Sequence, residues 1–307
     1  MSLPELPARG RRLCCAVITG WLLILLAIPA CASIELRQAD DSSLVIEQPA
    51  ERIITLSPHL AELAFAAGAG DRLIATVEYS DYPESAARLP RIGDAFRFDL
   101  ERILALRPDL VIAWGSGNPA AALARLEDLG LRVWRIEILS PDDIPQAISD
   151  MARSAGLGEP EAALQAKERL VRLRESFSER SAWSYFYQVS QQPLFTLNGS
   201  HLVSQGLALC GGRNVFAQEP VIAPQVSLES VLQADPDVLI APTGAGFDNP
   251  LEHWRAWPVL TAVRLQNMLL LPADEISRAT PRALDALLLA CEQVDEMTIN
   301  ETKDSPS

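Results

Sequence analysis

Leu100-Glu101-Arg102-Ile103-Leu104-Ala105-Leu106-Arg107-Pro108-Asp109-Leu110-Val111-Ile112 decides the fold class of this chain, because the same unit is written twice. Its second copy is Leu228-Glu229-Ser230-Val231-Leu232-Gln233-Ala234-Asp235-Pro236-Asp237-Val238-Leu239-Ile240. Each copy reads as a short apolar helix, a Pro-Asp turn that ends it, and a strand whose unbroken apolar run needs cover on both faces. Such strands belong to parallel sheets flanked by helices. Glu101 and Glu229 hold the same place in the two copies, in a helical first turn where the dipole favours a carboxylate.

The same alternation extends outward from both copies. On the N-terminal side a strand over Arg52 to Leu56 is followed by Ser57-Pro58 and an apolar helix from Leu60 to Ala67, which stops at Gly68. A strand from Leu73 to Val77, a helix from Leu100 to Leu106 and a strand from Asp109 to Trp114 come next. A helix from Ala120 to Leu129 and a strand from Arg132 to Ile136 complete that half. On the C-terminal side strands are expected at Tyr185 to Val189, Asp237 to Ile240 and Met268 to Leu271, with a last helix from Pro281 to about Val294. The polar stretch from Thr298 to Ser307 is expected to be disordered.

Between the halves, Glu159 to Arg180 has no Gly or Pro after Pro160 and is rich in Ala, Leu, Gln, Glu, Lys and Arg. At about 1.5 Å per residue this helix would run roughly 30 Å, enough to cross between two lobes. A surface helix of one continuous domain is the alternative. The expected organisation is a leader over 1–32, an extension over 33–50, α/β lobes over 51–157 and 183–297, a linking helix over 158–182 and the tail over 298–307.

The N-terminus has the form of a secretory signal. Arg9, Arg11 and Arg12 precede an apolar run from Leu13 to Ala30, and Ala30-Cys31-Ala32 offers small residues for cleavage after Ala32. An uncleaved membrane anchor, lipidation of Cys31 and a twin-arginine route built on Arg11-Arg12 remain open. Cleavage would remove Cys14, Cys15 and Cys31, leaving Cys210 and Cys291. An even pair in an oxidising compartment points to a disulfide, with two buried free thiols as the alternative. Neither cysteine has a second Cys or His at metal-ligand spacing. The leader carries three Arg against Glu5, so its loss moves the formal charge from −14 to −16. That acidity excludes nucleic acid as a partner.

Little in the sequence reads as catalytic, metal-binding or cofactor-binding chemistry. Ser57 and His59 are close, but no G-x-S-x-G elbow surrounds them, and Ser57 reads as a helix cap. His59, His201 and His253 lack the spacing and company of a metal site. Gly68-Ala69-Gly70 ends a helix rather than opening one, so it is no phosphate cradle.

Several stretches together carry a family resemblance across nearly the whole mature chain. They include Ile54-Thr55-Leu56-Ser57-Pro58, Glu62 to Gly68, Tyr79-Ser80-Asp81-Tyr82-Pro83, Leu100 to Trp114 and Cys210-Gly211-Gly212-Arg213-Asn214-Val215-Phe216. Pro224-Gln225-Val226-Ser227 and Ala279-Thr280-Pro281-Arg282 complete the set. In order and spacing the chain resembles the periplasmic cobalamin (vitamin B12)-binding proteins of ABC importers, within the iron-siderophore, haem and cobalamin receptor family. The resemblance implies two α/β lobes joined by one long rigid helix, with ligand in the cleft between them.

By the same resemblance, Tyr79 and the loop Asp274-Glu275-Ile276-Ser277-Arg278 face a corrinoid, and Cys210 pairs with Cys291. Glu101 and Glu229 dock on the permease of an importer that also has an ATPase subunit. Some relatives carry an aromatic pair where this chain has Glu275 and Ile276, so Phe96, Phe98, Trp114 and Phe195 are the rings expected to substitute. The expected protein is a periplasmic, monomeric receptor, without catalysis, cofactor or resident metal. A ferric siderophore or haem as cargo is the alternative, which the sparse arginines, chiefly Arg97 and Arg278, argue against. A secreted hydrolase using Ser57 or His59 is the third reading.

Overall fold

The computed structural model describes residues 33–177, 181–244 and 249–304, with side chains as far as 297. The expected signal therefore lies outside the described residues. The first elements, β1 (Ile34–Arg37) and β2 (Ser43–Ile46), form an antiparallel hairpin in what was expected to be a plain extension. On its inward face Leu36 and Ile46 are buried and Ile34 and Leu44 partly so, as the period-2 alternation of a half-covered ribbon requires.

The N-terminal lobe follows as β3 (Ile53–Thr55), α1 (Pro58–Ala66), β4 (Leu73–Ala75), α2 (Glu84–Ala87), α3 (Leu100–Leu106), β5 (Leu110–Trp114), α4 (Ala120–Asp128), β6 (Val133–Ile136) and α5 (Asp143–Ser154). Its four strands pair in parallel in the order β4-β3-β5-β6. Ile53, Leu110, Ile112 and Trp134 feed one apolar core, whereas Ile54, Val111, Ala113 and Val133 feed another. Adjacent strand residues point to opposite faces, so the continuous apolar runs are those of a sheet covered twice. The free edge of β6 is closed by the hairpin: Ala39 N donates to Arg135 O (2.8 Å) and Trp134 Nε1 to Arg37 O (2.8 Å).

Next comes α6 (Glu161–Ser176), which buries Ala163, Ala166, Leu170 and Leu173 at helical spacing and packs on α5. It is shorter than the expected Glu159–Arg180. Sixteen residues span about 24 Å. Pro160 adopts extended backbone at the N-cap, so the helix begins only after it, and 178–180 lie outside the described residues.

The second lobe comprises β7 (Trp183–Tyr187), β8 (Ser190–Gln191), β9 (Leu194–Phe195), α7 (Leu202–Ala208), β10 (Gly212–Asn214), α8 (Leu228–Ala234), β11 (Val238–Thr243), α9 (Thr261–Arg264), β12 (Met268–Pro272), α10 (Ala273–Ile276) and α11 (Pro281–Asp304). A second four-stranded parallel sheet runs β10-β7-β11-β12. Tyr185, Val238 and Ile240 join the core that α6 and α11 cover, while Phe186 and Leu239 join a separate one.

Two expectations shift here. The strand placed at Tyr185 to Val189 begins and ends two residues earlier, and Val189 is exposed. The last helix passes Val294 and takes up the expected tail as far as Asp304, because no Pro or Gly interrupts it before Pro306. Cys210 and Cys291 form the disulfide, with Cα atoms 5.9 Å apart, tying the end of α7 to α11.

The sequence repeat is a structural repeat. Asp99 caps α3 by accepting from Arg102 N (2.9 Å), and Ser227 caps α8 by accepting from Ser230 N (3.1 Å). Both helices end on a left-handed residue that is not glycine, Arg107 and Asp235, each before a proline. Asp109 Oδ2 then accepts from Glu51 N and Arg52 N (2.9 Å each), and Asp237 Oδ2 from Ser184 N (2.7 Å). Each carboxylate fastens its strand to the start of the neighbouring one.

Candidate ligand-binding cleft

Parallel strands deliver their following loops to one end of a sheet, and a crevice there is where open α/β folds place ligands. In this chain the C-terminal ends of β3, β5 and β6 and the segments that follow them supply Ser57, His59, Trp114, Ser116, Glu137 and Leu139 to one wall of a cleft of about 480 Å³. The second lobe supplies Leu197, Ser200, His201, Ile222 and the segment Ile276 to Ala279.

Among the described residues, the indole of Trp114 is the one large ring lining this wall, and its place is fixed on three sides. Glu137 accepts from Trp114 Nε1 (3.1 Å), from Ser116 N (2.7 Å) and from Ser116 Oγ (3.0 Å). Gly117 lies directly beneath the ring, where a Cβ would collide with it, so this position requires glycine. His59 packs edge-on at 5.4 Å between ring centroids. Buried Asn118 staples the floor, accepting from Trp114 N (2.7 Å) and donating to Leu56 O (2.9 Å) and Ala95 O (2.7 Å).

Burial pushes both histidines of the cleft toward the neutral form. Burial, with a smaller push from the charge of Arg278, lowers His59 to about 4. Its Nδ1 lies 2.6 Å from Ser57 Oγ. The capping role expected of that hydroxyl is not made: Ser57 stands at the N-cap of α1 but spends its oxygen on the imidazole. Burial also lowers His201, whose Nδ1 accepts from Val203 N (3.2 Å) and caps α7.

Arginines of the second lobe cross the cleft boundary. Arg278 donates to Asp81 Oδ1 (2.9 Å) and Tyr79 O (3.2 Å) in the first lobe, and lies 3.5 Å from Asp274 in its own. Burial works to raise the Asp81 carboxyl, but the hydrogen bond and charge of Arg278 outweigh it and hold the group below its usual range. Arg282 forms a bidentate pair with buried Glu62 (2.8 and 2.7 Å) and lies 3.9 Å over the Tyr82 ring.

Of the sequence-predicted residues, the structure brings Trp114, Ile276, Ser277 and Arg278 into the cleft wall and puts Tyr79 at its rim through Arg278. Asp274 is exposed behind Arg278, and Glu275 is half-buried without lining the cleft. Phe96 is exposed on the loop that Asn118 holds, and Phe98 packs into the core. Phe195 sits in the β8–β9 hairpin, two residues before Leu197, which does line the wall. Glu101 and Glu229 are exposed in the first turns of α3 and α8.

Sequence reading missed Glu137, His201, Leu139 and Ile222 as cleft residues, and buried Asn118 as the side chain that ties the backbone behind them. Glu137 had a usable signal, because it is the first residue past a parallel strand. Among the described residues no group of three His, Cys, Asp or Glu could hold a metal ion. No described helix is long and apolar enough to cross a membrane.

Comparison with known proteins places this geometry in a family. The periplasmic binding protein family model matches residues 53–275, which include both sheets. The vitamin B12-binding protein of Vibrio cholerae is 41% identical over 247 residues, covering 79% of this chain and 88% of that protein. The crystal structure of the periplasmic vitamin B12 binding protein of Vibrio cholerae superposes with a TM-score of 0.72 at 39% identity, covering 81% of this chain and 98% of that one. A periplasmic haem-binding protein from Roseiflexus aligns with a TM-score of 0.67 at 25% identity, over 80% of this chain and 98% of its own. With a matching family model, the same two-lobe fold and a cleft at the ends of both sheets, the chain belongs to the periplasmic binding protein family.

Proposed function

We propose that this protein captures cobalamin or a related corrinoid in the cleft between its lobes and delivers it to the permease and ATPase of an ABC importer. The observation that carries the reading is the 41% identity to a vitamin B12-binding protein along 79% of the chain, joined to a cleft with apolar walls from both lobes. A large amphipathic ligand suits such walls, because broad apolar contact supplies affinity and a few fixed polar groups supply orientation. Trp114 offers a ring face, Tyr79 and Phe96 offer exposed rings, and Ser277 offers a hydroxyl. Asp274 and Glu275 support Arg278 and Arg282 electrostatically rather than touching ligand.

Delivery uses Glu101 and Glu229, one exposed carboxylate per lobe on the repeated helix and strand unit, against basic permease surface. The chain acts as a monomer in the periplasm, exported by the segment 1–32. It is no enzyme in this reading: Ser57 Oγ lies 2.6 Å from His59 Nδ1, but among the described residues no carboxylate hydrogen-bonds the imidazole to orient it as a base.

The test is calorimetric titration of the chain from Ser33 to Ser307 with cyanocobalamin, beside haem and a ferric hydroxamate. Saturable one-to-one binding of cobalamin alone is expected. Binding of haem or the hydroxamate in its place would overturn the cargo. Replacing both Glu101 and Glu229 by Ala is expected to leave that affinity intact and abolish uptake; equal loss of both would sink the docking role.

A further inference from the structure

The loop Tyr79-Ser80-Asp81-Tyr82 is fastened to its own lobe at one point and to the other lobe at three. Within its lobe, Ser80 Oγ bonds Thr76 Oγ1 (2.9 Å), which bonds Thr55 Oγ1 (2.8 Å), and Arg91 Nη2 donates to Ser80 O (2.8 Å). The flanking residues belong to the partner lobe's arginines. Arg278 takes Tyr79 O and Asp81, and Arg282 stacks on Tyr82 while holding Glu62.

Tyr79 needs such holding, because its φ of 64° lies in the left-handed region that a side chain with a Cβ avoids. Its ring nevertheless stands 75% exposed, while Arg278 is only 14% exposed and has little freedom to do anything else. The two arginines sit four residues apart across the start of α11, so a single turn of the second lobe sets both grips.

We propose that Arg278 and Arg282 are positioning residues that act across the lobes on this loop, fixing the ring of Tyr79 at the cleft rim in the ligand-free protein. The cleft rim is then built before ligand arrives, which removes the cost of ordering it during binding. The inference rests on the corrinoid reading only for the identity of the ligand.

Limited digestion of the ligand-free protein with chymotrypsin tests the latch without any ligand. Tyr79–Ser80 is the bond to follow, since Tyr82 is protected by Pro83, and Phe96, 67% exposed on the same lobe, is the internal control. Arg278→Ala is expected to raise nicking after Tyr79 about tenfold with the Phe96 site unchanged, because cleavage tracks the population of the opened loop. Asp81→Asn, which keeps both backbones, is expected to move the same site in the same direction by less. No change at Tyr79, or an equal rise at both sites, would overturn the proposal.

Cyanocobalamin titration then separates positioning from direct contact. Arg278→Ala is expected to weaken binding about tenfold in the presence of Tyr79, and less than twofold in a Tyr79→Ala background. Equal losses in both backgrounds would make Arg278 a ligand contact and refute the positioning role. A wild-type chain that gives the digestion pattern but does not bind cobalamin upholds the latch and overturns only the cargo.

Discussion

Glu62 and Arg282 offer the most direct measurement of what the lobes gain from each other. Glu62 is 3% exposed in α1, and both its oxygens are taken by an arginine of the other lobe that is itself 19% exposed. Glu62→Gln keeps the shape and removes the charge, leaving a guanidinium largely out of water with one weak acceptor. Breaking a buried pair from one side costs about 3–5 kcal/mol. Arg282 keeps a fifth of its surface in water and the Tyr82 face beneath it, so the low end, about 3 kcal/mol, applies. With a urea slope of about 3 kcal/mol/M, the midpoint should fall by about 1 M. The assay is urea unfolding at pH 7, followed by circular dichroism and tryptophan fluorescence. Glu62→Leu combined with Arg282→Met fills the same space without charge and is expected to return to within about 1 kcal/mol of the parent. A single variant that shifts the midpoint by less than about 0.2 M would refute the reasoning, because the implied loss at that slope is well under 1 kcal/mol.

Three further outcomes are expected. Glu137→Ala unhooks the Trp114 indole and Ser116, so cobalamin affinity should drop about tenfold while the melting temperature moves little; calorimetry and tryptophan emission check it, and unchanged affinity would show that the ring is held by Gly117 and Asn118 alone. His59 has a folded-state value of about 4 against about 6.5 unfolded, so its contribution is complete above pH 6.5 and is lost as pH falls toward 4, on the order of 3 kcal/mol. In His59→Gln the fall of stability over that window should flatten without vanishing, because His201 and His253 are also lowered by burial. A window as steep as in the parent would mean that His59 is not neutral in the fold. Cys210→Ser with Cys291→Ser opens a loop of 81 positions and should cost about 4 kcal/mol in denaturant titration, against no effect of reductant on the variant.

What the sequence disclosed follows from local physics. The helix and strand units at Leu100 and Leu228 announced themselves because capping, Pro-Asp turns and uninterrupted apolar strands are all written within a dozen residues. The cysteine pair was legible for a different reason: cleavage of the expected leader would leave two. The hairpin of β1 and β2 was not read from the sequence, since its two strands are only four residues each, and what holds it to the lobe, such as the bond from Trp134 Nε1 to Arg37 O, lies about a hundred positions away. The cleft was legible on the segments with chemistry-bearing or aromatic residues, Trp114 and Arg278, and illegible at Leu139 and Ile222. An aliphatic residue in a loop gives no local sign of whether it will cover a core or face a ligand. Asn118 was hidden likewise, because its three partners lie on three separate segments.

The departure at Glu275 and Ile276 is accounted for by this distribution. Ile276 is buried as part of the core beneath α10 while one side lines the cleft, so the position contributes a low apolar floor instead of a projecting ring. Projecting apolar surface appears instead on loops of both lobes: Leu139 and Phe96 in the first, Val221 and Ile222 in the second, all more than half exposed. Isolated exposed apolar residues need no explanation, but Leu139 and Ile222 face one cleft from opposite walls. Gln205 Nε2 ties Leu139 O across the lobes at 2.8 Å, fixing one side of that gap as Arg278 fixes the loop of Tyr79. Ties at both places oppose closure of the cleft around its ligand. Selectivity then rests on the shape of these rim side chains, and exchanging Leu139 or Ile222 for a ring should alter which ligand fits more than it alters stability.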